Sequence, residues 1–212
     1  MKQFLSVAVL ALLVSACATS YLTNSRSISA EKKSYDKIVV LARSNSRLAR
    51  AQFEDDLVKS LQAKGISAIS SLSTGYEIPM EGPIPEEKLV ALENKLLESG
   101  INGAIVTNLV DASQYTDVIP GGVTSSYYPP YYGRFGRYYG YYPMTTWQPD
   151  QLVSGTKYVL ESCLYDLREA QKDNLQWVGM FELKDPGTLS SVSSQYANEL
   201  TEALLKSNIV PK

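Results

Sequence analysis

Two short, continuous apolar runs, separated by two amphipathic segments, constrain the fold of this 212-residue chain more than any other feature. Residues 37–42, KIVVLA, and residues 103–110, GAIVTNLV, are rich in β-branched side chains and show little alternation of apolar and polar residues. Strands that are buried on both faces of a parallel sheet have this composition. Strands that alternate with helices along a chain predict an α/β fold with a parallel core.

Three segments have the apolar period of amphipathic helices. They are residues 44–65, residues 86–99 and residues 189–207. Their apolar stripes consist of Ala49, Phe53, Leu57 and Leu61 in the first, Leu89, Leu92, Leu96 and Leu97 in the second, and Val192, Tyr196, Leu200, Ala203 and Leu204 in the third.

Further strand-like segments at residues 66–70, 156–166 and 174–183 complete the predicted order of elements. That order is β-α-β-α-β, a long insertion, then β-β-α, in a single α/β domain of residues 35–212. Right-handed crossovers place the second and third strands on either side of the first. We therefore expect a mixed five-stranded sheet of order 2-1-3-4-5 with the helices packed on it, and an irregular Tyr/Gly/Pro-rich insertion at about residues 111–155.

The first residues, MKQFLSVAVLALLVSAC, have the organisation of a secretory signal peptide. Lys2 supplies a positive charge, residues 4–14 form an apolar run that is too short to span a bilayer, and small residues precede Cys17. We expect residues 1–16 to be a signal peptide. Residues 17–34 are polar and without periodicity, and we expect a flexible tether that spans roughly 20–25 Å.

The stretch Val14-Ser15-Ala16-Cys17 resembles the lipobox of bacterial lipoproteins, with Val in place of the usual Leu. The resemblance implies that Cys17 carries a diacylglycerol thioether, that cleavage occurs before it, and that its new amine is acylated. Such acyl chains hold a soluble domain on a membrane. Ala18, rather than Asp, at the next position implies sorting to the outer membrane, with the domain facing the periplasm. The alternative is an ordinary secreted protein with a chance cysteine.

The predicted C-terminal hairpin and helix resemble an uncharacterised family of small bacterial lipoproteins. The matching residues are Leu164-Tyr165-Asp166, Leu175-Gln176-Trp177 and Asn208-Ile209-Val210. Members of this family often carry a Gly/Tyr/Trp-rich insertion before the hairpin. In fold and lipobox the chain is more distantly similar to the periplasmic α/β domain of curli-secretion-type lipoproteins and to the amino-terminal domain of Tol-system β-propeller proteins. Both are assembly or interaction domains, and the resemblance implies a role of that kind.

The composition excludes several classes of chemistry. The chain has no histidine, which removes Ser-His-Asp and Cys-His catalysis and every histidine-based zinc site. Its sequence contains no glycine-rich phosphate loop, and a net charge of −2 gives no basic face for nucleic acid. We therefore expect no metal, no cofactor and no nucleic-acid partner. A catalytic pair of carboxylates needs no sequence signature, so a hydrolase or transferase acting on cell-envelope polymers stays open as an alternative.

For two further candidates, an acidic run and a cysteine, we expect a structural role rather than a chemical one. Glu54, Asp55 and Asp56 are consecutive, and we expect them on a solvated helix face rather than in a metal or catalytic cluster. Cys163 is the only thiol besides Cys17 and lies in an apolar strand-like segment. We expect it to be a buried small hydrophobe rather than a reactive or intermolecular thiol.

The insertion contains SSYYPPYYGRFGRYYGYYPM, residues 125–144. Tyrosine offers a large contact area at low entropic cost, and arginine can stack on its ring. We expect an interaction loop formed by Tyr127, Tyr128, Tyr131, Tyr132, Arg134, Arg137, Tyr138, Tyr139, Tyr141 and Tyr142. Its candidate partners are another envelope protein, cell-wall glycan and lipid headgroups. The alternatives are a segment that folds back over its own domain, or low-complexity disorder.

These features predict a lipid-anchored bacterial envelope lipoprotein that acts as a non-catalytic binding or assembly module, with the membrane as its first partner through the lipid on Cys17. An enzyme should instead show a concave pocket with converging carboxylates of raised pKa. A binding module should show a flat aromatic patch or an open sheet edge.

Overall fold

The chain forms a single α/β domain with one mixed six-stranded sheet and, within the residues that the structure describes, three α-helices. The computed structural model describes residues 20–29, 31–44, 46–76, 85–121, 123–125, 145–147, 149–169 and 173–210. The strands are β1 (Leu22–Ser27), β2 (Ile38–Arg43), β3 (Ala68–Ser70), β4 (Gly103–Ile119), β5 (Val123–Ser125), β6 (Thr145–Trp147), β7 (Gln151–Asp166) and β8 (Leu175–Lys184). The helices are α1 (Arg47–Ala63), α2 (Glu86–Glu98) and α3 (Leu189–Lys206), with a 3-10 turn at Ser71–Ser73.

The strands of the large sheet lie in the order β1-β8-β7-β4-β2-β3. Strands β3, β2 and β4 are parallel, which follows from the helical crossovers that connect them. The remaining neighbours pair antiparallel. Strands β5 and β6 form a separate two-stranded ribbon inside the insertion.

The predicted sheet of five strands is wrong in strand number and therefore in its full order. The sixth strand, β1, lies within the predicted flexible tether and pairs with β8 at the edge of the sheet. The other five strands keep the relative positions expected from right-handed crossovers, and β1 extends the sheet beyond them. β1 escapes recognition because it is a polar edge strand with mostly exposed side chains, so it shows no alternation.

Helices α1 and α3 cover one face of the sheet and enclose the main core. Buried side chains of β2, β8 and both helices meet there, for example Ile38, Phe181, Leu57 and Leu200. Helix α2 lies on the opposite face, where Leu96 packs with Val39 and neighbouring apolar residues of β2 and β4. Most residues of the predicted apolar stripes therefore hold the helices on the sheet, whereas Leu89 of the second stripe is exposed.

Strands β4 and β7 extend well beyond the rest of the sheet. Their pairing continues to Ile119 and Gln151, whereas the last pair between β7 and β8 joins Lys157 to Lys184. We call residues 114–119 of β4 and 151–156 of β7 the hairpin arm. The predicted irregular region at residues 111–155 is thus corrected, because both of its ends are strand. The arm lacks a clear apolar face, since its side chains are mostly exposed and its strands satisfy each other's backbone groups.

Candidate functional site

The residues predicted to anchor the protein and to form its interaction loop lie outside the described residues. These residues are Cys17 and the ten side chains of the loop, Tyr127, Tyr128, Tyr131, Tyr132, Arg134, Arg137, Tyr138, Tyr139, Tyr141 and Tyr142. The structure does describe the chain on either side of them. It gives the chain from Ser20, three residues after Cys17, and it gives the hairpin arm from which the insertion leaves the sheet.

The chain that follows Cys17 is held on the domain from Ser20 onward. One carboxylate oxygen of Glu199, on α3, accepts hydrogen bonds from the Ser20 hydroxyl at 2.9 Å, the Tyr21 amide at 2.8 Å and the Leu22 amide at 2.9 Å. The Tyr21 carbonyl in turn accepts from the amide of Glu182 at 2.7 Å. These bonds fix the amino-terminal end of β1 against α3 and β8, in place of the flexible coil expected from the sequence.

The second half of the predicted tether also packs on the domain, beside Asp166 at the end of β7. The Asp166 carboxylate is buried and accepts two hydrogen bonds from the Arg168 guanidinium, each 2.8 Å long. The same guanidinium donates to the Ser34 carbonyl at 3.0 Å and lies over the ring of Tyr35. Lys33 pairs with Glu169 at 2.8 Å.

The charge of Arg168 decides the direction in which the pKa of Asp166 is shifted. Burial would raise the pKa of Asp166, but the hydrogen bonds and positive charge of Arg168 outweigh burial and lower it. The pKa of Tyr35 is raised, chiefly because its ring is removed from water. Asp166 is therefore an ionised structural anchor for this turn.

The other residues of the C-terminal resemblance have structural roles as well. Leu164 and Trp177 are buried in the core, and the Trp177 indole donates to the Ser207 hydroxyl at 3.0 Å. Asn208 adopts a left-handed backbone with φ of 59°, after which Ile209 and Val210 are buried. The motif thus closes the main core and contains no reactive site.

Glu54 contradicts the prediction of a solvated acidic face. Its carboxylate is buried and accepts hydrogen bonds from the Ala42 amide at 3.0 Å, the Arg50 Nε at 2.9 Å and the Ser70 hydroxyl at 2.6 Å. The Ser71 hydroxyl lies 2.7 Å from both carboxylate oxygens. Glu54 therefore joins α1 to the carboxyl ends of β2 and β3, and every one of these partners belongs to the protein itself.

Cys163 is free and buried on β7, as expected from its apolar surroundings. Burial is the main cause of a raised pKa for its thiol, which keeps the reactive thiolate scarce at neutral pH.

The hairpin arm is fastened to the end of β8 by Asp185. The Asp185 carboxylate accepts hydrogen bonds from the Tyr115 hydroxyl and, at 2.8 Å, from the Thr156 amide. The Lys184 ammonium lies 5.6 Å from the centre of the Tyr115 ring. Gly155 permits this contact, because a Cβ at that position would collide with the Asp185 carboxylate. The hydrogen bond raises the pKa of Tyr115 and lowers that of Asp185.

The end of the arm carries apolar side chains that no sequence argument singled out. Val118, Ile119, Leu152 and Val153 are all exposed. The signal that could have found them is a pair of apolar dipeptides, Val118-Ile119 and Leu152-Val153, on either side of the tyrosine-rich stretch.

The described residues offer little that resembles a catalytic or metal centre. No group of three or more Asp, Glu or Cys side chains among them is placed to hold a metal ion. One open groove runs along α2 and is lined by Glu86, Glu87, Val90, Ala91 and Asn94. None of the helices that the structure describes has the length and apolar character needed to cross a bilayer.

The geometry defines a single-domain α/β protein with a projecting hairpin arm, and comparisons with known proteins add distant likenesses. No protein-family model matches the chain, and no curated protein sequence does. A solved structure of the PelC dodecamer from Paraburkholderia phytofirmans is similar over 89% of this chain and 97% of that one, with 11% identity and a TM-score of 0.43.

Two other solved structures are similar at the same low level. Lipoprotein GNA1162 from Neisseria meningitidis matches 80% of this chain and 98% of its own, with 11% identity and a TM-score of 0.39. A PDZ domain protein from Parabacteroides distasonis matches 88% of this chain but only 35% of its own, with 8% identity and a TM-score of 0.35. Because these likenesses are distant, the function has to be argued from the residues of this chain.

Proposed function

We propose that this protein is a lipid-anchored, non-catalytic binding or assembly module of the bacterial envelope. It is attached by acyl chains on Cys17 to the outer membrane, with its domain in the periplasm. The lipobox-like residues 14–17 and the Ala at position 18 support the attachment and the location. The tyrosine-rich loop is the binding element in this proposal.

The observation that carries the proposal is the hairpin arm. A compact domain of this kind gains no core by extending two strands past the sheet, since most of the added side chains are exposed. The arm is nonetheless held in place by Asp185, which receives bonds from both of its strands through Tyr115 and Thr156. A fixed support that presents a loop away from the domain is how binding loops are commonly displayed.

The state of the carboxylates supports a non-catalytic role. A general acid at neutral pH needs a raised pKa, whereas the pKa values of Asp166 and Asp185 are lowered by their partners. Glu54 is buried among donors from its own domain, which leaves its carboxylate closed to a substrate. Hydrolysis or transfer through these three groups is therefore disfavoured.

Replacing residues 126–143 with a short Gly-Ser turn tests the binding role. We expect partners that crosslink to the wild-type protein in intact cells to be lost, because the candidate contact residues are removed while the sheet remains. A variant of the same length with serine at the eight loop tyrosines, 127, 128, 131, 132, 138, 139, 141 and 142, separates loss of the rings from loss of the loop. An unchanged set of crosslinked partners in both variants would exclude the loop as the binding element.

A further inference from the structure

We propose that the apolar end of the hairpin arm lies in the interface of the same bilayer that holds the lipid on Cys17. The end consists of Val118, Ile119, Leu152 and Val153, and its occupant is the lipid surface rather than a protein. This inference rests on the lipid anchor proposed above. It adds an orientation and a second membrane contact to that proposal.

The first argument is that exposed apolar side chains lie on both faces of the arm end. Val118 pairs directly with Leu152, so these side chains share one face of the ribbon. Ile119 and Val153 alternate with them and share the other face, where they pair directly with Gln151 and Asp117. A protein partner docked on one face would leave the apolar side chains of the opposite face in water. A lipid interface surrounds the ribbon and accommodates both faces.

The second argument is that the anchor and the arm leave the domain at the same end of the sheet. β1 pairs with β8 so that the Tyr21 carbonyl accepts from the Glu182 amide, and β8 pairs with β7 so that Leu183 faces Tyr158. Ser20 is therefore close to the level of Tyr158, one residue before the last pair between β7 and β8, after which the arm continues alone. A surface that holds Cys17 therefore lies near the end of the sheet from which the arm projects.

The third argument is chain length. Three residue steps join Ser20 to Cys17, and they span at most about 11 Å. From the level of Tyr158 the arm continues to Gln151, about 23 Å at the usual strand rise. If the strands are perpendicular to the membrane plane, the arm end therefore reaches roughly 12 Å further toward the bilayer than the anchored sulfur does. A tilt of the strands shortens this distance. The hydrogen bond from Ser20 to Glu199 favours a short distance between the domain and the lipid.

Unpaired backbone groups limit how deeply the arm end can enter the bilayer. The outer edges of a two-stranded ribbon carry N–H and C=O groups without partners in the ribbon, which are not tolerated in the hydrocarbon region. The apolar end therefore lies at the boundary of headgroups and acyl chains, where amphipathic elements insert by about 5–10 Å. Asp117 is the only charged residue of the arm, so attraction to anionic lipid does not drive the contact.

Fluorescence quenching of the full chain in vesicles tests the contact. The protein is expressed with its leader in a Cys163→Ala background and purified from membranes. A bimane label is placed on the variants Ile119→Cys, Leu152→Cys and Ile28→Cys. The vesicles contain phosphatidylethanolamine and phosphatidylglycerol with nitroxides on the acyl chains. Ile28 is the matched control, because its exposed fraction of 51% is close to the 52% of Ile119 and it follows β1 at the opposite end of the sheet.

We expect the labels on the two arm variants to be quenched by the lipid nitroxides and to shift to shorter emission wavelength, while the label on Ile28→Cys is unaffected. Equal emission from all three labels in bilayers would overturn the proposal. Unquenched arm labels that crosslink to a second copy or to another protein would also overturn it.

Mass measurement of Cys17 in the same samples separates the two proposals. A lipidated chain with unquenched arm labels refutes only the contact of the arm with the bilayer and leaves the lipid anchor standing. Circular dichroism confirms that each labelled variant is folded.

Discussion

At the scale of single residues, Glu54 shows how a charge inside a helix can organise the fold. Its carboxylate collects donors from α1, β2, the end of β3 and the 3-10 turn, and Arg50 one helical turn away supplies the opposite charge. Helical periodicity could not reveal this role. Position 54 follows the core-facing Phe53, and only the fold brings Ser70 and Ser71 to its side.

Replacing Glu54 with Gln should destabilise the domain strongly. The amide removes the charge that Arg50 pairs with and places a donor among existing donors, so we expect a loss of about 3 kcal/mol or more in unfolding free energy. Urea unfolding of residues 18–212 measures it. Asp55→Asn is the control, since Asp55 is exposed and its substitution should change stability by no more than about 0.5 kcal/mol. Equal stabilities of the two variants would contradict the role of Glu54.

Asp166 should make stability depend on pH. Its pKa is lower in the folded than in the unfolded chain, because the guanidinium of Arg168 outweighs the effect of burial. The resulting stabilisation is present above the unfolded value of about 4 and is lost as pH falls through the folded value. The variant Asp166→Asn should therefore be less stable than wild type at pH 7, and the difference should shrink on acidification. Parallel pH profiles of the urea midpoint for the two proteins would refute this assignment.

At the scale of elements, β1 and the hairpin arm share one physical property. Each is a strand whose backbone is satisfied by a neighbour while most of its side chains stay exposed. Prediction from sequence depends on buried side chains to create alternation, and it therefore finds β2, β4 and the three helices but not β1 or the ends of β4 and β7. Partners such as Glu199 and Asp185, which fasten these strands, lie too far along the chain to be paired with them by spacing.

Glu199→Ala should release the start of β1. The substitution removes the acceptor shared by Ser20, Tyr21 and Leu22, and hydrogen bonds to a charged group contribute about 1.5–3 kcal/mol each, less where water replaces them. We expect faster amide exchange at Tyr21 and Leu22 with little change in the main core. The exposed Glu98→Ala on α2 provides the control. If exchange at both amides matches that of wild type, Glu199 does not hold the strand.

At the scale of the whole molecule, the described features on which both proposals rest lie at one end of the sheet. The carboxyl ends of the parallel strands, the start of β1 beside the proposed anchor and the hairpin arm all lie there. The sequence indicated the α/β class, the anchor and the tyrosine-rich loop as separate features. That the start of β1 and the hairpin arm lie at the same end of the sheet depends on β1 pairing with β8, which the sequence does not indicate.

The claim on which this arrangement depends is the lipid on Cys17, and mass spectrometry of the protein purified from its native membrane tests it most directly. We predict an amino-terminal peptide that begins at Cys17 and carries a thioether-linked diacylglycerol and an acylated amine. A peptide that retains residues 1–16, or one with an unmodified thiol at position 17, would contradict the account.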